Sequence, residues 1–186
     1  GDSITMMRIL AIALIMVVAA GVNAQMLSEG TQEIYGGFDV DWENAVGSSE
    51  WYLDLGYGYF IRDYIEVGGI FGYEDSSIVG QETKMYRLGA FGEYNWPIEA
   101  SMWVPAIQMA ASWLDAEITS PDPNVADPQD SAFEITIRPA IKFYLSDPVA
   151  LDFGVPFRWA TEKLYVNDGK VSDTDWGLNL RLRAAF

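Results

Sequence analysis

The sequence contains no cysteine, no histidine and few basic residues. Without cysteine it has no disulfide, no thiolate nucleophile and no cysteine-ligated zinc site. Without histidine it lacks the commonest general base and metal ligand of enzymes. Only 11 basic residues oppose 27 acidic ones, which gives a formal net charge of −16. Because nucleic acid is bound by a basic surface, this charge excludes a nucleic-acid partner.

What is abundant is apolar. Half of the 186 residues are hydrophobic, and the mean hydropathy is +0.06. A disordered acidic chain contains far fewer apolar residues, and the length suits a single domain. A chain that is both so acidic and so apolar must separate the two kinds of residue in space.

The first 24 residues, which include a few residues upstream of the first methionine, predict a secretory signal peptide. Arg8 precedes an unbroken apolar run over 9–20, and Val22-Asn23-Ala24 fits the small-x-small pattern before a cleavage site. The apolar run is shorter than the roughly 20 residues that a membrane-spanning helix needs. We therefore predict cleavage after Ala24 and a mature domain over 25–186.

The mature chain alternates apolar and polar residues with a period of two, which is typical of strands with unlike faces. In the last segment, for example, Leu178, Leu180 and Leu182 alternate with Arg181 and Arg183. Eight segments follow the pattern, and each suits the roughly 9–11 residues of a tilted strand that crosses a bilayer. The predicted strands are 31–42, 51–61, 65–73, 84–96, 102–114, 133–145, 149–165 and 176–186.

The connections between these strands alternate in length. Three are tight turns, at 62–64, 97–99 and 146–148. The others are longer and polar, and they cover about 43–50, 75–83, 115–132 and 166–174. Short turns at one end and long loops at the other are typical of bacterial outer-membrane barrels. The predicted fold class is all-β, an eight-stranded antiparallel up-and-down transmembrane β-barrel.

A soluble barrel with an apolar interior is the alternative fold. Aromatic residues of the apolar faces favour the membrane barrel, because they fall at two depths, as in the aromatic girdles at the two bilayer interfaces. The predicted loop-side girdle contains Trp42, Trp51, Tyr73, Trp113, Trp159 and Trp176. The predicted turn-side girdle contains Tyr59, Tyr94, Trp103 and Phe143.

Over residues 25–186 the chain resembles the small, porin-like outer-membrane barrels of the OmpA/OmpX type. The junction Phe60-Ile61-Arg62-Asp63-Tyr64 and the alternating last strand, which ends in Phe186, carry this resemblance. The resemblance implies an integral protein of the Gram-negative outer membrane with both termini in the periplasm. It also implies that Phe186 is read by the barrel-assembly machinery, that the partners are outer-membrane lipid and lipopolysaccharide, and that the protein is a monomer. Because nothing follows Phe186, we expect no periplasmic peptidoglycan-binding domain.

Charged residues also occupy the inward positions of the predicted strands. Buried charges need partners, and an eight-stranded barrel is just wide enough for side chains to fill it. We therefore predict a closed, salt-bridged lumen, in which Glu33 of the first strand meets Arg183 of the last. The predicted lumen network consists of Glu33, Asp54, Glu66, Arg87, Glu93, Glu134, Arg138, Lys142, Asp152, Arg158, Arg181 and Arg183.

The predicted function is that of a non-enzymatic outer-membrane barrel that contributes to envelope structure or surface interaction. The alternative is a narrow pore or an OmpW-like conduit for small or hydrophobic solutes. Related lipid-modifying barrels use histidine with serine, and this chain has no histidine. We predict no catalytic, cofactor or metal site; the acidic loop 115–132 lacks the ordered ligand spacing of a calcium loop. Lys84 and Lys163 fall where lipopolysaccharide phosphates would lie.

Overall fold

The computed structural model describes residues 27–40, 48–78, 81–98, 101–119, 129–167 and 170–186. The predicted signal peptide and Trp42 lie outside these residues. The first six strands are long and follow one another in the sheet. They are β1 (Gln32–Val40), β2 (Ser48–Arg62), β3 (Ile65–Ile78), β4 (Gln81–Asn95), β5 (Trp103–Thr119) and β6 (Gln129–Ser146).

The rest of the chain forms six shorter strands. They are β7 (Val149–Gly154), β8 (Phe157–Ala160), β9 (Tyr165–Asn167), β10 (Lys170–Ser172), β11 (Thr174–Trp176) and β12 (Leu178–Ala185). β7 and β8 follow one another along β6 and together make the seventh barrel strand. β11 pairs with β8, and β12 pairs with β7. β11 and β12 therefore make the eighth barrel strand together. β9 and β10 form a separate hairpin between the seventh and eighth strands.

The barrel closes between the first strand and the last. β12 pairs antiparallel with β1, with Glu33 opposite Ala185. At the end of the seam Gln32 and Phe186 exchange both backbone hydrogen bonds, at 3.0 and 2.9 Å. Closure leaves no free sheet edge along these strands. The predicted eight-stranded antiparallel barrel is confirmed.

The prediction of an unbroken seventh strand over 149–165 was wrong. Regular pairing stops after Gly154, resumes at Phe157 and ends at Ala160. Pro156 lies in the gap, and a proline has no N–H to donate to a neighbouring strand. The eighth strand is interrupted nearby, at Gly177.

The predicted loops were too long at 75–83, 115–132 and 166–174. Strand pairing continues past the predicted ends, with Glu117 opposite Lys84 on one side and Gln129 on the other. Small or apolar residues such as Ala116 and Ala132 still face inward there and are buried. The strands therefore continue to enclose a packed interior beyond the predicted ends. The predicted loop 166–174 contains most of the β9–β10 hairpin.

The two faces of the wall differ sharply. Inward positions hold the buried charged residues, whereas large apolar side chains cover the outside. Along β5, the outward face runs from Trp103, 49% exposed, to Trp113, 56% exposed. The ten residue steps between these two tryptophans rise about 3.4 Å each along a strand tilted by about 40°, so the apolar face is roughly 25 Å tall. The apolar band of outer-membrane barrels has the same height. No helix within the described residues is long and apolar enough to cross a bilayer.

Candidate functional site

The lumen contains one connected group of charges, here called the turn-side network: Glu33, Glu66, Glu93, Arg138, Lys142, Asp152 and Arg183. Arg183 is its centre. Its Nε lies 2.5 Å from Asp152 Oδ2, and its Nη2 lies 2.8 Å from Glu93 Oε2. Its Nη1 contacts Glu33 and lies 3.4 Å from Glu66 Oε2. One guanidinium therefore contacts carboxylates from four strands of the wall.

Lys142 is the second cation among the three glutamates. Its Nζ lies 2.5 Å from Glu93 Oε1, 3.6 Å from Glu33 Oε1 and 3.7 Å from Glu66 Oε2. The amine is fully buried, as are all three carboxylates to within 2%. A buried charge is costly unless it is paired, so this arrangement keeps the lysine ionised inside the barrel.

Arg138 completes the network by a bidentate pair. Its Nη2 and Nη1 lie 2.8 and 3.1 Å from the two oxygens of Asp152. The guanidinium packs directly on Gly154, where an added Cβ would lie 2.4 Å from Arg138 Cζ. The planar fork of arginine suits such a pair better than a lysine does. Gly154 is thus needed because the arginine passes over its backbone.

A second set of charges, here called the loop-side pairs, is bonded one to one. Arg87 lies 2.9 Å from Glu134, Arg181 2.5 Å from Asp54, and Arg158 2.6 Å from Asp175. Each cation thus has one carboxylate partner among these three pairs. Asp175 is the most exposed member, at 16%.

Gln108 joins the two sets. Its Nε2 donates to Glu93 Oε2 at 3.4 Å, and its Oε1 accepts from Arg181 Nη1 at 2.9 Å. Its side chain is 1% exposed. A neutral amide can serve both sets because it carries a donor and an acceptor.

Aromatic rings fill the space between the charges. The guanidinium carbons of Arg181 and Arg183 lie 4.5 and 5.0 Å from the Tyr35 ring centroid, and that of Arg87 lies 5.0 Å from the Tyr52 centroid. Such cation–π contacts favour the buried arginines. The Tyr35 ring lies against Gly56, where an added Cβ would be 2.0 Å from Tyr35 Cζ. The glycine makes room for the tyrosine.

A small cavity remains beside the loop-side pairs. Its volume is about 20 Å³, and Asp54, Arg87, Glu134, Arg158 and Arg181 are among its lining residues. This is room for roughly one water molecule. Charged side chains thus line a water-sized space on the loop side of the lumen.

An apolar cluster lies at each end of the lumen. At the turn end, Leu27 packs inside the wall with Phe60, Val104, Tyr144 and Ala150; this cluster is the turn-side stopper. The chain segment is fixed there by backbone bonds, because Leu27 O accepts from Tyr64 N at 2.8 Å and Gly30 N donates to Phe60 O at 2.8 Å. The segment just before β1 therefore covers the turn-side mouth.

At the loop end the segment before β9 does the same. Leu164 and Tyr165 pack with residues of β4, β5 and β6, and both are at most 5% exposed. Tyr165 Oη also donates a hydrogen bond to Glu134. Burial, and then the nearby Glu134, raises the pKa of Tyr165 well above its ordinary value, so the phenol keeps its proton. The loop-side stopper consists of Met85, Leu114, Ala116, Ala132, Leu164 and Tyr165.

The structure places every residue of the predicted lumen network inside the barrel, each at most 8% exposed. It brings Glu33 and Arg183 into contact across the seam. Sequence reasoning missed Gln108 and the two stoppers. Gln108 lies on the inward register of β5, which could have indicated it; Leu27 and Leu164 lie in segments outside the regular alternation, which gives no such signal.

The predicted girdle side chains that the structure describes lie on the outside of the wall. The rings of Trp103 and Phe143 contact each other at a tilt near the turns, with centroids 4.5 Å apart, and those of Tyr73 and Tyr86 do so near the loops at 4.9 Å. The side chain of Trp51 lies outside the described part, like Trp42. The exposed girdle residues include Tyr59, Tyr94, Trp103, Trp113, Trp159 and Trp176, each between 39% and 56% exposed.

Two surface features were singled out in the sequence, the exposed lysines and the acidic loop 115–132, of which residues 120–128 lie outside the described part. Lys84 and Lys163 are exposed, and Lys84 lies in register with Asp75 and Glu117, one on each neighbouring strand. Within the described residues, no three acidic side chains are grouped so that they could hold a metal ion.

Comparison with known proteins identifies the fold. No protein-family profile matches the chain, and no curated protein sequence matches it. Among solved structures, the Neisserial surface protein A is similar, with 17% identity, a TM-score of 0.59, and coverage of 84% of this chain and 95% of that one. The N-terminal β-barrel domain of Pseudomonas aeruginosa OprF has 14% identity and a TM-score of 0.59, with coverage of 85% and 98%.

The attachment invasion locus protein Ail of Yersinia pestis is a third such structure. It has 15% identity and a TM-score of 0.52, and the match covers 85% of this chain and 99% of Ail. All three matches span nearly the whole of the solved barrels, so the likeness concerns the complete architecture. The chain has the fold of the small eight-stranded outer-membrane β-barrels.

Proposed function

We propose that the protein is an integral barrel of the bacterial outer membrane, with a closed lumen and no enzymatic activity. It contributes to envelope structure or to interactions at the cell surface. Both termini face the periplasm, outer-membrane lipid and lipopolysaccharide surround the wall, and the barrel-assembly machinery inserts the chain by its last strand, which ends in Phe186.

The inversion of the two faces carries this proposal. A soluble barrel turns its polar face to water and its apolar face inward. Here Leu88, Met109 and Trp113 are at least 56% exposed, whereas Arg138 and Lys142 are fully buried. An apolar outside is stable only against another apolar medium, and a band roughly 25 Å tall matches a bilayer core. Lipid is therefore the partner that this wall fits.

The chemistry of the lumen supports a non-enzymatic role. The charged side chains inside are engaged with one another, and apolar stoppers cover them at both ends. The chain has no histidine to serve as a general base near neutral pH. What the arrangement does chemically is to fill and stiffen the barrel.

Membrane insertion is tested with the mature chain, refolded into vesicles whose lipids carry bromine at known depths. We expect the exposed Trp103 and Trp113 to be quenched by bromine near the two interfaces, and the folded band on a gel to shift after boiling. Tryptophan emission that is insensitive to bromine at every depth, with identical migration before and after boiling, would refute the proposal.

A narrow pore for small solutes is the second candidate. The cavity beside the loop-side pairs favours it, because it places a wettable space among five charged residues within the wall. Swelling of vesicles in solutions of small sugars or amino acids separates the candidates. Solute-dependent swelling supports the pore, and its absence supports the closed barrel.

A further inference from the structure

The turn-side network has one carboxylate too many. It contains the acids Glu33, Glu66, Glu93 and Asp152, and all four are at most 2% exposed. Its cations are Arg138, Lys142 and Arg183, each at most 1% exposed. Fully ionised, the network would hold one uncompensated negative charge inside a closed, membrane-embedded wall.

Such a charge is not tolerated in a dry interior. Burying an unpaired carboxylate costs far more than protonating it, so a buried acid without a counter-charge takes up a proton. The loop-side pairs do not have this problem, because their three cations face three carboxylates. The excess is therefore local to the turn side.

Glu66 is the least well paired of the four. Its nearest cationic atoms lie 3.4 Å away on Arg183 and 3.7 Å away on Lys142. Glu93, by contrast, lies 2.5 Å from Lys142 and 2.8 Å from Arg183. The other oxygen of Glu66, Oε1, lies against Gly58 and has no hydrogen-bond partner among the described residues. A neutral carboxyl suits this position better than an ion does.

The charged and titratable groups that face Glu66 come from five strands. β1 presents Glu33, β4 presents Glu93, β7 presents Asp152 and β12 presents Arg183, while β6 presents Lys142 and the phenol of Tyr144. β2 and β5 present uncharged groups at this level, Gly58 and Gln108 among them. No cation beyond those already counted contacts Glu66 among the described residues.

We propose that the closed barrel binds one proton in the turn-side network, on the carboxyl group of Glu66. A metal ion does not fit in its place, because Lys142 Nζ already occupies the point where the three glutamates meet. The proton makes the buried network neutral. Its loss at high pH leaves a buried negative charge, which destabilises the turn side of the lumen.

Infrared spectroscopy of the refolded barrel in D₂O tests for the proton directly. We expect a carbonyl band of a protonated carboxyl near neutral pH, and Glu66→Gln removes it. The matched control is Glu134→Gln, which removes a carboxylate from a one-to-one pair on the loop side and keeps the band. A wild-type barrel without the band, or a band that survives Glu66→Gln, overturns the proposal.

Unfolding in denaturant locates the proton on Glu66. We expect Glu66→Gln to leave the unfolding midpoint near that of the wild type at neutral pH, since one neutral group replaces another, whereas Glu93→Gln lowers the midpoint clearly. A group protonated in the folded state stabilises it at low pH and loses this effect as the proton leaves at high pH. The wild-type midpoint should therefore fall with rising pH, and Glu66→Gln should reduce that fall. Equal losses from both variants assign the proton elsewhere and overturn the assignment.

The inference rests on the proposed closed lumen, since water inside would solvate the extra charge. The two can fail separately. Solute-dependent vesicle swelling would refute the closed lumen whatever the infrared result. A missing carboxyl band in a barrel that excludes solutes would refute the proton alone.

Discussion

The two charged regions of the lumen are built from the same residue types but connected differently. On the loop side, the three described ion pairs each join one arginine to one carboxylate, and five of their six members line a small cavity. On the turn side, Arg183 alone contacts four carboxylates, and Lys142 contacts three of the same four. Loss of a loop-side charge therefore takes the ion-pair partner from one opposite charge, whereas loss of a central turn-side group affects the whole network.

The comparison also explains where the negative charge of the chain lies. The turn-side network and the loop-side pairs together hold seven carboxylates, Asp175 included, and six cations. The interior is close to neutral, so the formal charge of −16 belongs to the surface and the loops. The barrel uses more than half of its 11 basic residues to fill its lumen.

The largest contrast is expected between two arginine substitutions. Arg183→Met leaves four buried carboxylates with two cations, whereas Arg87→Met takes the ion-paired cation from Glu134 only. One-sided removal from a buried ion pair costs about 3–5 kcal/mol, and we expect about 5 kcal/mol for Arg183→Met and about 3 kcal/mol for Arg87→Met. Unfolding by urea of barrels refolded in vesicles measures both. Equal losses would show that the turn side is no more connected than the loop side.

A smaller effect is expected from a methyl group added inside the wall. Gly56→Ala places a Cβ 2.0 Å from Tyr35 Cζ, so the ring and the arginines that stack on it must move. Overpacking of this kind costs about 1–3 kcal/mol. The control is Gly92→Ala on the outer face, where an added Cβ has nothing within 4 Å. We expect the control to be neutral or slightly stabilising, and a Gly56→Ala barrel as stable as the control contradicts the crowded lumen.

The most local effects are expected from the stoppers, and they should be confined to one end each. Leu164→Ala should speed amide exchange of the neighbouring loop-side strand ends, and Leu27→Ala that of the turn-side ends. A loss of about 2 kcal/mol for a buried leucine corresponds to roughly 30-fold faster exchange where opening is local. Hydrogen-exchange mass spectrometry resolves the two ends. Equal acceleration at both ends by either variant would mean that the stoppers do not act separately.

Much of the fold was predictable because a strand with one lipid face and one lumen face has a period of two. The inward position of Arg138, Lys142 and Asp152 follows from that period alone. The division of the inward charges into a network and separate pairs does not follow from the period, because strand tilt and stagger decide which inward residues meet. Pro156 marked a break in the seventh strand that the apolar alternation concealed.

The stoppers could not be predicted from the period of two. Leu27 and Leu164 lie outside the barrel strands. Each reaches one end of the lumen only because the chain folds back over that end. The loops were predicted too long for a related reason. Beyond the girdle the outward residues are polar, but the strands stay paired there. Their inward residues, such as Ala116 and Ala132, are still buried inside the barrel.

The central claim is that the lumen is closed by the stoppers and the charges between them. Single-channel recording of the refolded wild-type protein in a planar bilayer tests it most directly, with a known porin as the conducting control. We predict that the inserted protein gives no steady current steps. Its heat-dependent gel shift verifies that the protein is folded. Steady, reproducible steps of one size from the wild-type barrel would contradict the closed lumen.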